Sequence, residues 1–375
     1  MYVVAAIAGI ILIFTILQDC FETVVLPRRV ARKFRLARLF YATSWLFWSA
    51  IARKIRSSNR REYFISFYGP LSLLLLLVVW ALVLIIAFAL LQWSLGSAIS
   101  APEKTVGFTT DLYMSGTTFF TLGLGDVVPR SGWARVCTVV EAGLGFGFLA
   151  LVIGYVPIIY QAFSRREAEI SLLDARAGSP PTAAEFLRRH LREDLHTEEF
   201  VEFLRSWEHW CAELLESHLS YPVLSYYRSQ HDRQSWLAAL TTILDVCALV
   251  MVGLDNIPEQ VGKFTFAIAR HAIVDLAQTF RTKPSLPKKD RLPSAEFARL
   301  RQQMAAEGIR FRDEETAEER LAELRHMYEP YANALADYLL TSLPEWIPTV
   351  EHVDDWQSSI WDHFALMSQR PLRKR

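Results

Sequence analysis

Apolar residues crowd the first 160 positions, and after residue 164 they thin into amphipathic repeats. Residues 3–17 (VVAAIAGIILIFTIL) are a short unbroken apolar run, lengthened by Phe21, Val24, Val25 and Leu26, and predict a membrane helix. No basic region precedes it and no small-residue cleavage pattern follows, so it reads as a retained anchor rather than a signal peptide. Residues 39–52 (LFYATSWLFWSAIA) are too few to span. They predict an aromatic helix at the cytoplasmic interface, with Trp45 and Trp48 at headgroup depth among anionic lipids, or else an ordinary core helix. Residues 71–92 are apolar throughout and reach about 33 Å as a helix, enough for the hydrocarbon core. A second long apolar stretch covers 136–160, and between the two lies a half-length helix at 110–120.

Beyond Phe163 the periodicity predicts helices over 183–193, 197–218, 233–252, 259–280, 294–307, 314–341 and 353–368. Gly178-Ser179-Pro180-Pro181 breaks the chain, and Thr182 with Glu185 forms a capping box for the next helix. His231-Asp232 lies where a cap is needed before another. The run 237–252 is apolar enough for a further span. Asp245 at its centre, its length, and the lack of basic asymmetry around it favour a buried core helix. Residues 282–293 are a proline- and lysine-rich loop, and no Gly-x-Gly-x-x-Gly pattern marks a dinucleotide site.

Charge adds orientation. The 40 basic and 40 acidic residues balance, which gives no case for a nucleic-acid partner. Arg28, Arg29, Arg32, Lys33, Arg35 and Arg38 follow the first apolar run, Arg60 and Arg61 precede the second, and Arg165 and Arg166 follow the third. By the positive-inside rule these flanks are cytoplasmic, with the amino terminus and residues 94–109 outside. The four cysteines lie far apart without metal-type spacing, which argues against a disulfide framework or zinc site. No span before 94 carries arginine at every third position, so voltage sensing is not expected.

Between the long spans stands Thr121-Leu122-Gly123-Leu124-Gly125-Asp126. Glycine at alternate positions tolerates left-handed backbone, which a row of carbonyls aimed at one axis requires. This run, with Thr before it, Asp after it and a span on each side, resembles the selectivity filter of the potassium-channel pore family. The resemblance covers about residues 66–165. It implies an all-α membrane protein with a tetrameric potassium-channel-like pore, an extra N-terminal helix and a cytoplasmic helical domain. The implied divisions are an anchor at 1–27, a basic interfacial segment at 28–65, the pore module at 66–165 and the helical domain at 166–375. It further implies ion sites made by the carbonyls of Thr121, Leu122, Gly123 and Leu124, with the Thr121 hydroxyl closing the innermost. Asp126 would draw cations at the outer mouth. One filter per chain implies a homotetramer in the cell membrane. Potassium is the permeant ligand, and neither a cofactor, a further metal site nor an enzymatic activity is expected.

Three positions depart from the family pattern. Leu124 stands for the usual Tyr and Met114 for a common Trp, so any brace between filter and pore helix is packing rather than a hydrogen bond. Thr117 stands where some members have a glutamate that bonds the filter aspartate. In the inner helix Gly145 matches the family's hinge, and Pro157 falls about 18 Å further on, suggesting a bend near an inner constriction lined by Tyr155 to Ile159. Glu141, one turn before the hinge, either packs behind the filter against Thr117 or Thr118 or faces the cavity. The readings left open are a potassium channel, a weakly selective cation channel, and a membrane-anchored interaction protein with a non-conducting pore. The gating stimulus, including any cytoplasmic ligand, is also open.

Overall fold

Helices long and apolar enough to cross a membrane occur at Tyr2–Val25, Ser58–Ser94, Gly132–Ala177 and Trp236–Gly253. The computed structural model describes residues 2–26, 35–102, 105–191, 197–231, 234–254, 257–287, 289–312 and 315–348. The basic run Arg28–Lys33, Asp232 of the expected cap, and the helix expected at 353–368 lie outside the described residues. The chain divides into two units, Met1–Ala162 with Val223–Tyr227, and Phe163–Pro222 with Arg228–Arg375.

In the first unit, α1 (Tyr2–Cys20) ends in a π turn (Phe21–Val25) and packs against the long α4 (Tyr68–Ser94). Between them in sequence are α2 (Leu36–Ala52) and α3 (Ser58–Ser66). One carboxylate ties three of these helices. A single oxygen of Asp19 accepts from the Trp80 indole N–H at 3.0 Å and from the Ala37 amide at 2.9 Å. Around that link Ile16, Leu76, Trp80, Leu84 and Phe119 form the core.

The aromatic helix α2 packs on its neighbours through its rings. Trp45 is buried, its ring 4.8 Å from Tyr68 and 5.0 Å from Tyr226, and Trp48 stacks on Phe64 at 4.5 Å. Such ring pairs add to the area they bury. The exposed apolar side chains of this helix are Leu39, Leu46, Phe47 and Ile51.

Helix α5 (Phe108–Phe119) follows, then α6 (Gly132–Ala177), a 46-residue helix that contains Pro157 without a break. Two short strands, β1 (Ile99–Ser100) and β2 (Val128–Pro129), pair antiparallel and clasp the loop before α5 to the chain beyond the filter. The expected constriction is not as drawn from sequence. Tyr155 and Ile159, one helical turn apart, are buried within the chain, while Pro157 and Ile158 are exposed.

The second unit is all helical: α7 (Ala183–His190), α8 (Thr197–Ser220), α9 (Trp236–Gly253), α10 (Glu259–Thr279), α11 (Ser294–Ala306), α12 (Ala317–His326) and α13 (Glu329–Leu339). Thr182 caps α7, accepting from the Glu185 amide at 3.3 Å. Ser235, not His231-Asp232, caps α9, accepting from Ala238 at 3.0 Å. The single helix expected over 314–341 is two, because Pro330 opens α13 and cannot donate within a longer helix.

Helix α9 is apolar enough to span, yet 94% of it is buried inside the unit. Asp245 at its centre is met by Arg291, whose Nη2 stands 2.5 Å from Oδ2, and by the Tyr328 hydroxyl at 2.5 Å. Burial pushes the Asp245 carboxyl up to about 6 against the pull of Arg291. Arg291 also pairs with Glu329 at 2.9 Å. Removing one partner of such a buried pair strands a charge, typically at a cost of about 3–5 kcal/mol.

A second buried contact is legible to the proton. Arg166 Nη1 lies 3.2 Å from His218 Nε2, and the Leu214 carbonyl lies 3.0 Å from Nδ1. The guanidinium only donates and the carbonyl only accepts, so His218 is neutral with its proton on Nδ1. Burial, and then the charge of Arg166, hold the imidazole well below its ordinary value. The unfolded chain therefore binds a proton that the folded one rejects, so stability present above about 6.5 is lost as pH falls. Thermal melting of the full chain in detergent should drop more for wild type than for His218→Gln between about pH 7.5 and 5.5. Parallel losses would mean that another group titrates.

Candidate functional site

The site is built on a helix too short to stand alone. At 12 residues α5 is marginal as an isolated helix, so neighbours must hold it. Those neighbours are α4 and α6. Ser115 Oγ lies 2.7 Å from the Ile85 carbonyl of α4 and also meets the Glu141 carboxyl of α6. One turn further along both helices, Phe119 meets Gly145. A Cβ on Gly145 would stand 2.0 Å from the Phe119 carbonyl oxygen, so only glycine permits this approach. At the outer end Gln92 of α4 donates to the Ala134 carbonyl and to Thr138 Oγ1 of α6, both at 3.1 Å.

From the end of α5 the chain turns sharply into residues 121–126. The Leu122 amide donates to the Thr117 carbonyl at 2.8 Å, and the Thr121 amide to Thr118 at 3.0 Å. Backbone φ is positive at Thr121 (55°), Gly123 (56°) and Gly125 (77°), that is, at every second residue. Glycine adopts this region freely, but a β-branched threonine does so only at a cost of order 1–3 kcal/mol. The alternation is therefore held against local preference at Thr121.

The side chains of this run find little cover in their own chain. Leu122 is 62% exposed, Leu124 64% and Phe120 59%, whereas Met114 is buried. The Thr117 hydroxyl donates to the Met114 carbonyl at 3.0 Å and does not reach Glu141, whose partner is Ser115 rather than Thr117 or Thr118. Glu141 is fully buried in the protomer and does not face open space.

Two residues of the site escaped sequence reasoning. Tyr113 donates its hydroxyl to Asp126 at 2.9 Å. Ser115 joins α5 to both of its neighbours. A signal for each existed. Tyr113 adjoins the position where the common tryptophan is missing, and Ser115 falls, with Thr117 and Thr118, among the hydroxyls that face an acid-bearing span. Asp111, at the start of α5, accepts from Ser97 at 2.6 Å.

Gly145 makes a sharp test of this packing. Gly145→Ala forces the end of α5 to move, which should lower melting by the equivalent of about 1–3 kcal/mol or more and disturb the filter. A Cβ at Gly143 or Gly147 meets nothing within 4 Å in the protomer, so alanine there should leave melting of the dissociated chain unchanged. Equal melting of Gly145→Ala and wild type would refute the close approach.

Residues 73–162 match a family model described as "Ion channel". The chain is also similar to "Uncharacterized membrane protein YdjJ" of Bacillus subtilis (strain 168), 24% identical over 265 residues, covering 69% of this chain and 74% of that protein. No solved structure gives a significant match. The chain is an all-α membrane protein whose residues 73–162 are similar to an ion channel domain.

Proposed function

We propose that this protein is a potassium-selective channel in which four copies surround one axis. The observation that carries the reading is the alternation of left-handed backbone at Thr121, Gly123 and Gly125 in a loop between two membrane helices. In an ordinary extended strand successive carbonyls point to opposite sides. Inverting every second residue lets them share one side, where rings from four chains replace the water around a dehydrated cation. The carbonyls of Thr121, Leu122, Gly123 and Leu124 then form the ion sites, and the Thr121 hydroxyl closes the inner one.

What one protomer leaves uncovered supports assembly with further copies. Leu122, Leu124 and Phe120 are apolar and exposed beside a strained loop, and a second chain packed there would cover them. The exposed apolar residues of α6, among them Val136, Val139, Val140, Phe146 and Ile153, call for lipid or for further copies in the same way. The carboxyl end of α5 carries partial negative charge toward a cation on the inner side, and Asp126 offers a full charge at the outer mouth. Gating falls to α6, with Gly145 as a hinge and Pro157 as the bend. Because Gly145 also admits the Phe119 carbonyl, movement there is transmitted to the pore helix. Residues 166–375 form a cytoplasmic domain that modulates this gate.

The uncovered Leu124 favours a second reading, a weakly selective cation channel, if no neighbouring chain braces it. Purified protein in liposomes under bi-ionic conditions decides between them. A reversal potential set by potassium over sodium is expected for wild type and should collapse in Gly123→Ala. A reversal near zero supports the weakly selective reading, and absence of any flux from correctly folded protein overturns both.

A further inference from the structure

The buried carboxyl of Glu141 presents a proton-counting problem. Ser115 Oγ has one proton, and two oxygens lie within hydrogen-bond reach of it, the Ile85 main-chain carbonyl at 2.7 Å and the Glu141 carboxyl. A carbonyl can only accept, so the serine proton is committed to Ile85. An ionised Glu141 would then face the lone pairs of Ser115 with no donor between them. Its second oxygen, Oε2, is buried with no hydrogen-bond partner, and the carboxyl is fully buried in the protomer. A full charge so placed would be stranded, whereas a neutral acid loses only one weak acceptor.

We propose that Glu141 works as a neutral, proton-bearing positioning residue. Its O–H donates to Ser115 Oγ, and Ser115 donates to the Ile85 carbonyl. This directed chain links α6, α5 and α4 through one hydroxyl. Two residues beyond Ser115, the Thr117 carbonyl holds the Leu122 amide of the filter at 2.8 Å. The proton on Glu141 thereby fixes the depth and rotation of the helix from which the filter hangs. The groups facing the carboxyl are Ser115 on α5 and the Ile85 carbonyl on α4. Cys137, one turn earlier on α6, is the nearest titratable neighbour along its own helix.

The effect on conduction rests on the channel reading above, but the protonation does not. Two readouts separate them. Infrared difference spectra of full-length wild type against Glu141→Gln, in neutral buffer, should show the carbonyl-stretch band of a protonated carboxylic acid that the variant lacks. Absence of that band overturns the proposal. In liposomes Glu141→Gln, whose amide N–H can donate to Ser115, should keep potassium flux and selectivity near wild type. Glu141→Leu removes the donor and should lower flux about tenfold, the equivalent of one lost hydrogen bond. A Glu141→Gln protein as damaged in flux as Glu141→Leu, with native melting, would equally overturn it. Should wild type conduct nothing, the channel reading fails, and the infrared band with the melting order wild type ≈ Gln > Leu still decides the bridge.

Discussion

The approach of two turns of α5 to two turns of α6 is the constraint on which the rest depends. Ser115 meets Glu141 and, four residues later on both helices, Phe119 meets Gly145. The first contact is polar and directional, and the second is a backbone carbonyl against a helix with no side chain in the way. Neither alone would set the pore helix. A hydrogen bond without the close contact leaves the helix free to tilt, and close packing without the bond leaves it free to rotate. Together they hold a 12-residue helix that could not persist by its own propensity. That fixed end is what allows Thr121 to be kept at positive φ, since strain of this kind survives only where surrounding contacts over-determine the chain.

Much of this was legible in the sequence, for reasons that differ by element. The spans at 71–92 and 136–160 and the pore loop between them are dictated by hydropathy and by Gly-x-Gly, and these signals act locally. The structure places helices at Tyr68–Ser94, Phe108–Phe119 and Gly132–Ala177 over those stretches. What the sequence could not convey is rotation about a helix axis. Ser115, Thr117 and Thr118 all offer a hydroxyl to Glu141, and a turn of about 100° per residue decides which one meets it. The same ignorance of rotation led Tyr155 and Ile159 to be expected at a constriction when they are buried within the chain. Tertiary partners are equally silent in sequence. Trp45 meets Tyr226, a partner so far along the chain that no local pattern connects the two.

The second unit shows the limit of hydropathy from the other side. Trp236–Gly253 has a mean hydropathy of 2.0 over its window, close to that of Gly132–Ala177 at 2.2, yet 94% of the first is buried within the unit and 11% of the second. Composition cannot separate a core helix from a span. The counter-charge can. Asp245 sits in the middle of the first and is met by Arg291, a residue in a loop that no periodicity would connect to it. A fixed guanidinium is a workable answer for an acid in a packed helical core, where only the fold has to be served.

Around the filter the acids are met differently. Asp111 accepts from the hydroxyl of Ser97, Asp126 from that of Tyr113, and Glu141 meets that of Ser115. Each of these contacts is with a neutral hydroxyl rather than with an arginine or lysine. Stability alone would not demand this, since a bidentate arginine makes stronger bonds than a hydroxyl. Ion passage would. Two unit charges about 4 Å apart interact by about 4 kcal/mol at an effective dielectric of 20, so a guanidinium beside the loop would raise a large barrier to any cation crossing it. Hydroxyls hold the carboxyl groups in place without adding positive charge. The contrast between Arg291 in one unit and Ser97, Tyr113 and Ser115 in the other is thus what the cation pathway proposed above would require of the polar scaffolding around it.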